Sequence, residues 1–138
     1  MMTGIVVCLA VLVATGLFGL WHRHRNGRLT VRGRDDATRL GPGELGGELG
    51  ERATLVQFSS AFCQPCRATR RTLVEVVGMV DGVAHVEIDA EAHLDLVRTL
   101  QILRTPTVLV LDADGRIVRR ASGQPRKADI IAALGEAV

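Results

Sequence analysis

The sequence predicts an α/β domain carried behind one apolar helix. Three patterns support that expectation: an uncharged run over residues 4–21, a strand–helix–strand succession between Ala53 and Asp89, and a hairpin followed by a helix between Thr107 and Ala137. At 138 residues the chain has room for one such domain plus an anchor and a tether, since single domains commonly run about 100 to 150 residues.

As a helix, residues 4–21 would be about 27 Å long, close to the hydrocarbon thickness of a bilayer. The run is apolar on every face, which argues against a core helix with one buried stripe. Met1, Met2 and Thr3 carry no side-chain charge, so the basic opening of a cleavable signal peptide is missing. A transmembrane anchor over 4–21 is expected, which makes the membrane itself a partner. Cys8 within it reads as apolar filler. Residues 22–51 change character, with Arg23, Arg25, Arg28, Arg32 and Arg34 first and Gly41, Gly43, Gly46, Gly47 and Gly50 after them. They read as a juxtamembrane collar and tether, with a short helix over Glu44 to Leu49 docking Leu45 and Leu49. No Lys or Arg precedes the apolar run, so the positive-inside rule puts the folded part on the cytoplasmic face. The competing arrangement is an uncleaved signal anchor that places it on the extracytoplasmic face.

The folded domain is expected over 52–138. Ala53 to Ser59 reads as a buried strand, and Leu73, Val76, Val77 and Val80 share one face of the helix that follows Cys63. Val83 to Asp89 alternates Ala84, Val86 and Ile88 with His85, Glu87 and Asp89, and a helical stretch through Leu94, Val97 and Leu100 follows. Thr107 to Leu111, a turn at Asp112 to Gly115, and Arg116 to Ala121 make a hairpin. A helix over Arg126 to Ala137 closes the chain with Ile130, Ile131 and Leu134 turned inward. Hydrophobic residues are 47% of the chain, aromatics only 3%, and Tyr is absent, so Val, Leu, Ile and Ala must build the core. A formal charge of +2, with no basic stripe and no interleaved aromatics, excludes a nucleic-acid partner.

Three cysteines make no disulfide framework, and only Cys63 and Cys66 can pair locally. A lone pair with this spacing serves as half a zinc site or as a redox couple. Here it follows a strand and opens a helix, where Cys63 meets unsatisfied N–H groups and the positive end of the dipole, conditions that favour a thiolate. A second ligand pair for zinc is missing, since His85 and His93 are single and unrelated in spacing, so no metal and no other cofactor is expected. Pro65 is accommodated in a first helical turn, where its missing N–H has no partner to lose. Cys63 is the expected attacking group and Cys66 the resolving one.

The stretch Phe58-Ser-Ser-Ala-Phe-Cys-Gln-Pro-Cys66 resembles the active-site segment of the thioredoxin family. Three further landmarks resemble it in order: Val86-Glu87-Ile88-Asp89, Arg104-Thr105-Pro106-Thr107, and Gly123 followed by Lys127. The resemblance covers the chain from about Arg52 to its end. It implies a central mixed sheet of about four strands flanked by helices, and thiol-disulfide oxidoreductase activity on protein disulfides or dithiols, with a separate protein as electron donor or acceptor. It also implies a cis Thr105–Pro106 bond beside Cys63 and a substrate-binding rim of Phe62, Thr105 and Pro106. The plainer alternative is that Pro106 begins an edge strand. A redox-sensing or metal-shuttling module is the alternative class, and the absence of Met or His between Phe58 and Val77 weighs against a metal carrier.

Three departures from the family pattern bear on the chemistry. Phe62 stands where Trp is usual, and Gln64-Pro65 replaces Gly-Pro, so these two residues are expected to tune the redox potential. Gln57, six residues before Cys63, replaces the family's buried acid, and His85 stands where a Lys is frequent. If the two face each other beneath Cys66, His85 is a candidate for proton transfer. Read plainly, Gln57 is a hydrogen-bonding spacer and His85 a solvated strand residue.

Overall fold

The structure, a computed structural model, describes residues 1–25, 27–30 and 38–138. Arg32 and Arg34 of the expected collar lie outside those residues. The first helix, α1 (Met2–Arg25), has no buried residue. By length and composition it qualifies as a membrane span or a signal sequence.

The rest is a sheet packed on both faces. In chain order its elements are β1 (Leu29–Thr30), α2 (Pro42–Leu45), β2 (Ala53–Ser59), α3 (Gln64–Met79), β3 (Val83–Asp89), α4 (Leu94–Thr99), β4 (Thr107–Asp112), β5 (Ile117–Ser122) and α5 (Lys127–Ala137). The strands lie in the order β1-β5-β4-β2-β3. Strand β2 pairs in parallel with β3 and antiparallel with β4, which pairs antiparallel with β5. The four expected strands thus form a mixed sheet, and β1 adds a short fifth strand along the edge of β5.

Strand β2 lies inside the sheet between β4 and β3 with every residue buried, as its run of Leu55, Val56 and Phe58 requires. Alternate residues feed two cores. Ala53 and Leu55 join Leu73 and Val76 of α3 and Ile130 and Leu134 of α5. Val56 and Phe58 join Leu100, Ile102, Leu109 and Ile117 on the other face, together with Leu40 and Leu45. Ile131, expected to turn inward with Ile130, is 39% exposed. At 100° per residue only one of two adjacent positions can face the sheet, and Ile130 and Leu134 take it.

The segment read as a tether makes definite contacts with the domain. The Gly27 N–H donates to the Ser122 carbonyl, Leu29 pairs with Ala121, and the Leu40 N–H donates to the Gly115 carbonyl. Leu40 and Leu45 are buried, and Leu49 packs against the same core. The expected short helix begins earlier, at Pro42, because Glu44 caps the Gly41 N–H and Gly46 ends the turn with a left-handed backbone.

Candidate functional site

The cysteine pair sits where β2 ends and α3 begins. Cys63 is the cap of α3, and its sulfur accepts from the Cys66 N–H at 3.2 Å. The two are joined in a disulfide with Cα atoms 5.2 Å apart. Their surroundings differ, since Cys63 is partly open to solvent and Cys66 is 2% exposed. Gln64 and Pro65 form the exposed first turn of α3. Phe62, just before the pair, has a φ of 58° and is 98% exposed. A left-handed backbone at an aromatic residue is unfavourable, and here it holds the ring out in solvent.

The opposite wall is the loop before β4. The Thr105–Pro106 bond is cis, and the Thr105 hydroxyl lies 2.8 Å from that of Ser60. Thr105 is half-buried, Pro106 is buried, and Leu103 beside them is 86% exposed.

Beneath the pair the structure brings Gln57 and His85 together. Gln57 is wholly buried. Its amide nitrogen donates to the Cys66 carbonyl at 2.8 Å and to the Ser59 hydroxyl at 3.0 Å. That orientation turns Oε1 to His85 Nε2, 3.2 Å away. An amide oxygen only accepts, so the imidazole donates from Nε2 and keeps Nδ1 as the position that gains a proton. Burial pushes the His85 pKa below its ordinary value, while nearby Glu87 raises it and Arg70 lowers it. Arg70 of α3 is bound to Glu87 of β3 by a two-pronged ion pair, and Glu87 in turn raises the Arg70 pKa. His85 is therefore not a solvated strand residue but half-buried.

The profile of the thioredoxin family matches residues 48–136. The chain belongs to the thioredoxin family. It is similar to chloroplastic thioredoxin z, with 28% identity and a TM-score of 0.56 over 63% of this chain and 79% of that one. Fasciola hepatica thioredoxin matches at 18% identity and a TM-score of 0.57, covering 70% of this chain and 88% of that one. Mitochondrial thioredoxin 3 from Saccharomyces cerevisiae matches at 16% identity and 0.55, covering 62% and 79%. These last two likenesses speak for the fold alone. No curated protein sequence matches the chain. With the thioredoxin domain and its bonded cysteine pair together, the protein is a thiol-disulfide oxidoreductase.

Sequence reasoning missed Ser59, Ser60 and the Arg70–Glu87 pair. Two serines at the end of the strand that leads to the cysteine motif were a signal, because a buried strand end must satisfy any hydroxyl it carries. The Arg70–Glu87 contact joins residues 17 apart, and no local pattern announces it. Among the described residues no cluster of metal-ligating side chains occurs.

Proposed function

We propose that this thioredoxin-family protein is held in the membrane by residues 4–21 and supplies electrons to oxidised proteins from the cytoplasmic face. The observation that supports the chemistry is the unequal burial of the two cysteines at the start of α3. Cys63, open and next to the helix's free N–H groups, is the group that attacks a substrate disulfide as a thiolate. Its sulfur bonds to one substrate sulfur and the other leaves. Cys66, enclosed, then attacks Cys63, so that the Cys63–Cys66 disulfide forms and the substrate is released as a dithiol. Phe62, Thr105 and Pro106 form the rim on which the substrate segment lies, and Gln64 and Pro65 set how readily the couple is reduced.

Cys66 must lose its proton to resolve the mixed disulfide. An amide does not titrate near neutral pH, so Gln57 acts as a positioning residue. It fixes the backbone of Cys66 on one side and the ring of His85 on the other, and the open Nδ1 of His85 is the local group able to take up a proton. The direction of transfer follows from placement. Five arginines, Arg23, Arg25, Arg28, Arg32 and Arg34, follow the apolar run and none precedes it, which retains that flank in the cytoplasm. In that reducing compartment the couple rests as a dithiol.

A membrane-impermeant maleimide applied to intact cells after mild reduction tests the placement. Cys63 is expected to be labelled only after lysis. Labelling before lysis would put the domain outside and remove the argument for a reductant.

A further inference from the structure

The end of the sheet that bears the cysteine pair is also the end at which the chain leaves α1. Gly27 is only two residues past the last helical residue, Arg25, which limits their separation to about 7 Å. The Gly27 N–H is bonded to the Ser122 carbonyl at 3.0 Å. A side chain there would meet the Gln124 carbonyl oxygen at 2.0 Å, and the φ of +77° also favours glycine, so the strand entrance is held closely against the end of β5. Ser122 is in register with Thr107, and Thr107 with Phe58. Gly27, Ser122, Thr107 and Phe58 therefore form one line across the sheet. At about 4.8 Å per strand, that line is about 14 Å long. A second bond, from the Gly123 N–H to the Pro106 carbonyl at 2.7 Å, fastens the same corner to the rim of the redox site.

The helix end is marked as an interface by its own chemistry. Trp21 carries the Arg25 guanidinium over its ring, 4.7 Å from the centroid, and aromatic–basic pairs of this kind settle at the headgroup level. Nothing between Trp21 and Gly27 is long enough to act as a free tether. Next to Cys63 the exposed residues Ala61, Phe62, Gln64 and Pro65 are uncharged, and exposed Arg67, Glu91 and Arg104 stand around them.

We infer that the redox centre is held in the layer next to the bilayer, and that its substrate is a disulfide in a second membrane-held protein, displayed within about 20 Å of the bilayer surface. This rests on the anchor and on the exchange chemistry proposed above. Two proteins confined to one membrane meet at high effective concentration only if their reactive groups lie at matching heights, and here the height is set by three strand spacings rather than by a flexible linker. The exposed side chains of Phe62 and Leu103, with Arg104 beside them, suit a partner surface that is itself partly apolar.

The full chain in vesicles, kept reduced with dithiothreitol, would be given two substrates: soluble insulin, and a single-span peptide carrying a disulfide loop directly at its membrane end. A helical spacer of about twenty residues between Arg25 and Gly27 adds about 30 Å. It is expected to slow reduction of the membrane-held loop at least tenfold while leaving insulin reduction within twofold. Equal rates on the loop with and without the spacer would overturn the inference. If the spacer variant does not fold, the unmodified chain decides: moving the loop outward on a helical stalk of about 50 Å should slow its reduction at least tenfold, and no change overturns the inference. Failure of the unmodified chain to reduce insulin would instead defeat the redox chemistry, and its recovery in the supernatant would defeat the anchor.

Discussion

The outer and inner halves of the redox site are built from one short stretch of chain and have opposite surroundings. Outward are Cys63 and Phe62, the latter 98% exposed, at the open start of α3. Inward are Cys66, 2% exposed, and Gln57, wholly buried, in a set of hydrogen bonds that reaches Ser59 and His85. Attack on a protein substrate needs access, and resolution needs a fixed geometry and a route for a proton. The difference teaches that a helix start supplies both, because its cap residue, Cys63, is open to solvent and its third residue, Cys66, is enclosed.

The largest expected effect comes from exchanging the two halves. Cys63→Ser should lower insulin reduction by about 1000-fold or more, since no other thiolate is placed to attack. Cys66→Ser should leave an attacking thiolate and accumulate substrate as mixed disulfides, visible on non-reducing gels. Equal trapping by the two variants would erase the distinction between the halves.

A smaller effect is expected from the inner half alone. Gln57→Leu removes the side-chain bond to the Cys66 carbonyl and leaves the half-buried His85 Nε2–H without its Gln57 acceptor, at a cost of about 1–3 kcal/mol in unfolding free energy by urea titration. Its resolving step should slow as well, measured as persistence of the mixed disulfide. Gln57→Asp puts a carboxylate in the same place and should move the pH–rate profile. An unmoved profile in both Gln57→Asp and His85→Ala would mean that neither side chain handles the proton.

The smallest effect is the pH dependence of stability. Burial lowers the His85 pKa from the ordinary 6.5, against a raising influence from Glu87 and with a further lowering from Arg70. The unfolded chain therefore binds more protons at this position as pH falls below about 6.5, and stability declines from there toward the lower folded pKa. His85→Gln should flatten that decline by less than about 1 kcal/mol, compared by urea unfolding at pH 7.5 and pH 5.0. Parallel curves for the two proteins would show that His85 is not held in its neutral form.

Much of this organisation was legible in the sequence because it depends on local signals. A run of Leu55, Val56 and Phe58 followed at once by Cys63-Gln64-Pro65-Cys66 can be read as strand, cap and helix start without knowing anything distant. The hairpin over Asp112 to Gly115 has the same character: the Asp112 carboxylate accepts from the N–H groups of Asp114 and Arg116 within its own turn. Strand β1 was not legible. It is two residues long, its partner Ala121 lies about ninety positions away, and arginines and glycines surround it.

By itself the sequence determined the apolar helix, the βαβ unit, the hairpin and the reactive pair, since spacing and residue type decide each of them within a few residues. The tertiary structure alone decided which neighbours those residues meet. Gln57 and His85 are 28 positions apart, and only the parallel pairing of β2 with β3 puts their side chains on one face beneath Cys66. Gly27 lies at the redox end of the sheet because β1 starts antiparallel beside the end of β5. Both outcomes are long-range, because a strand's hydrogen-bond partners are chosen by the whole sheet rather than by its own residues.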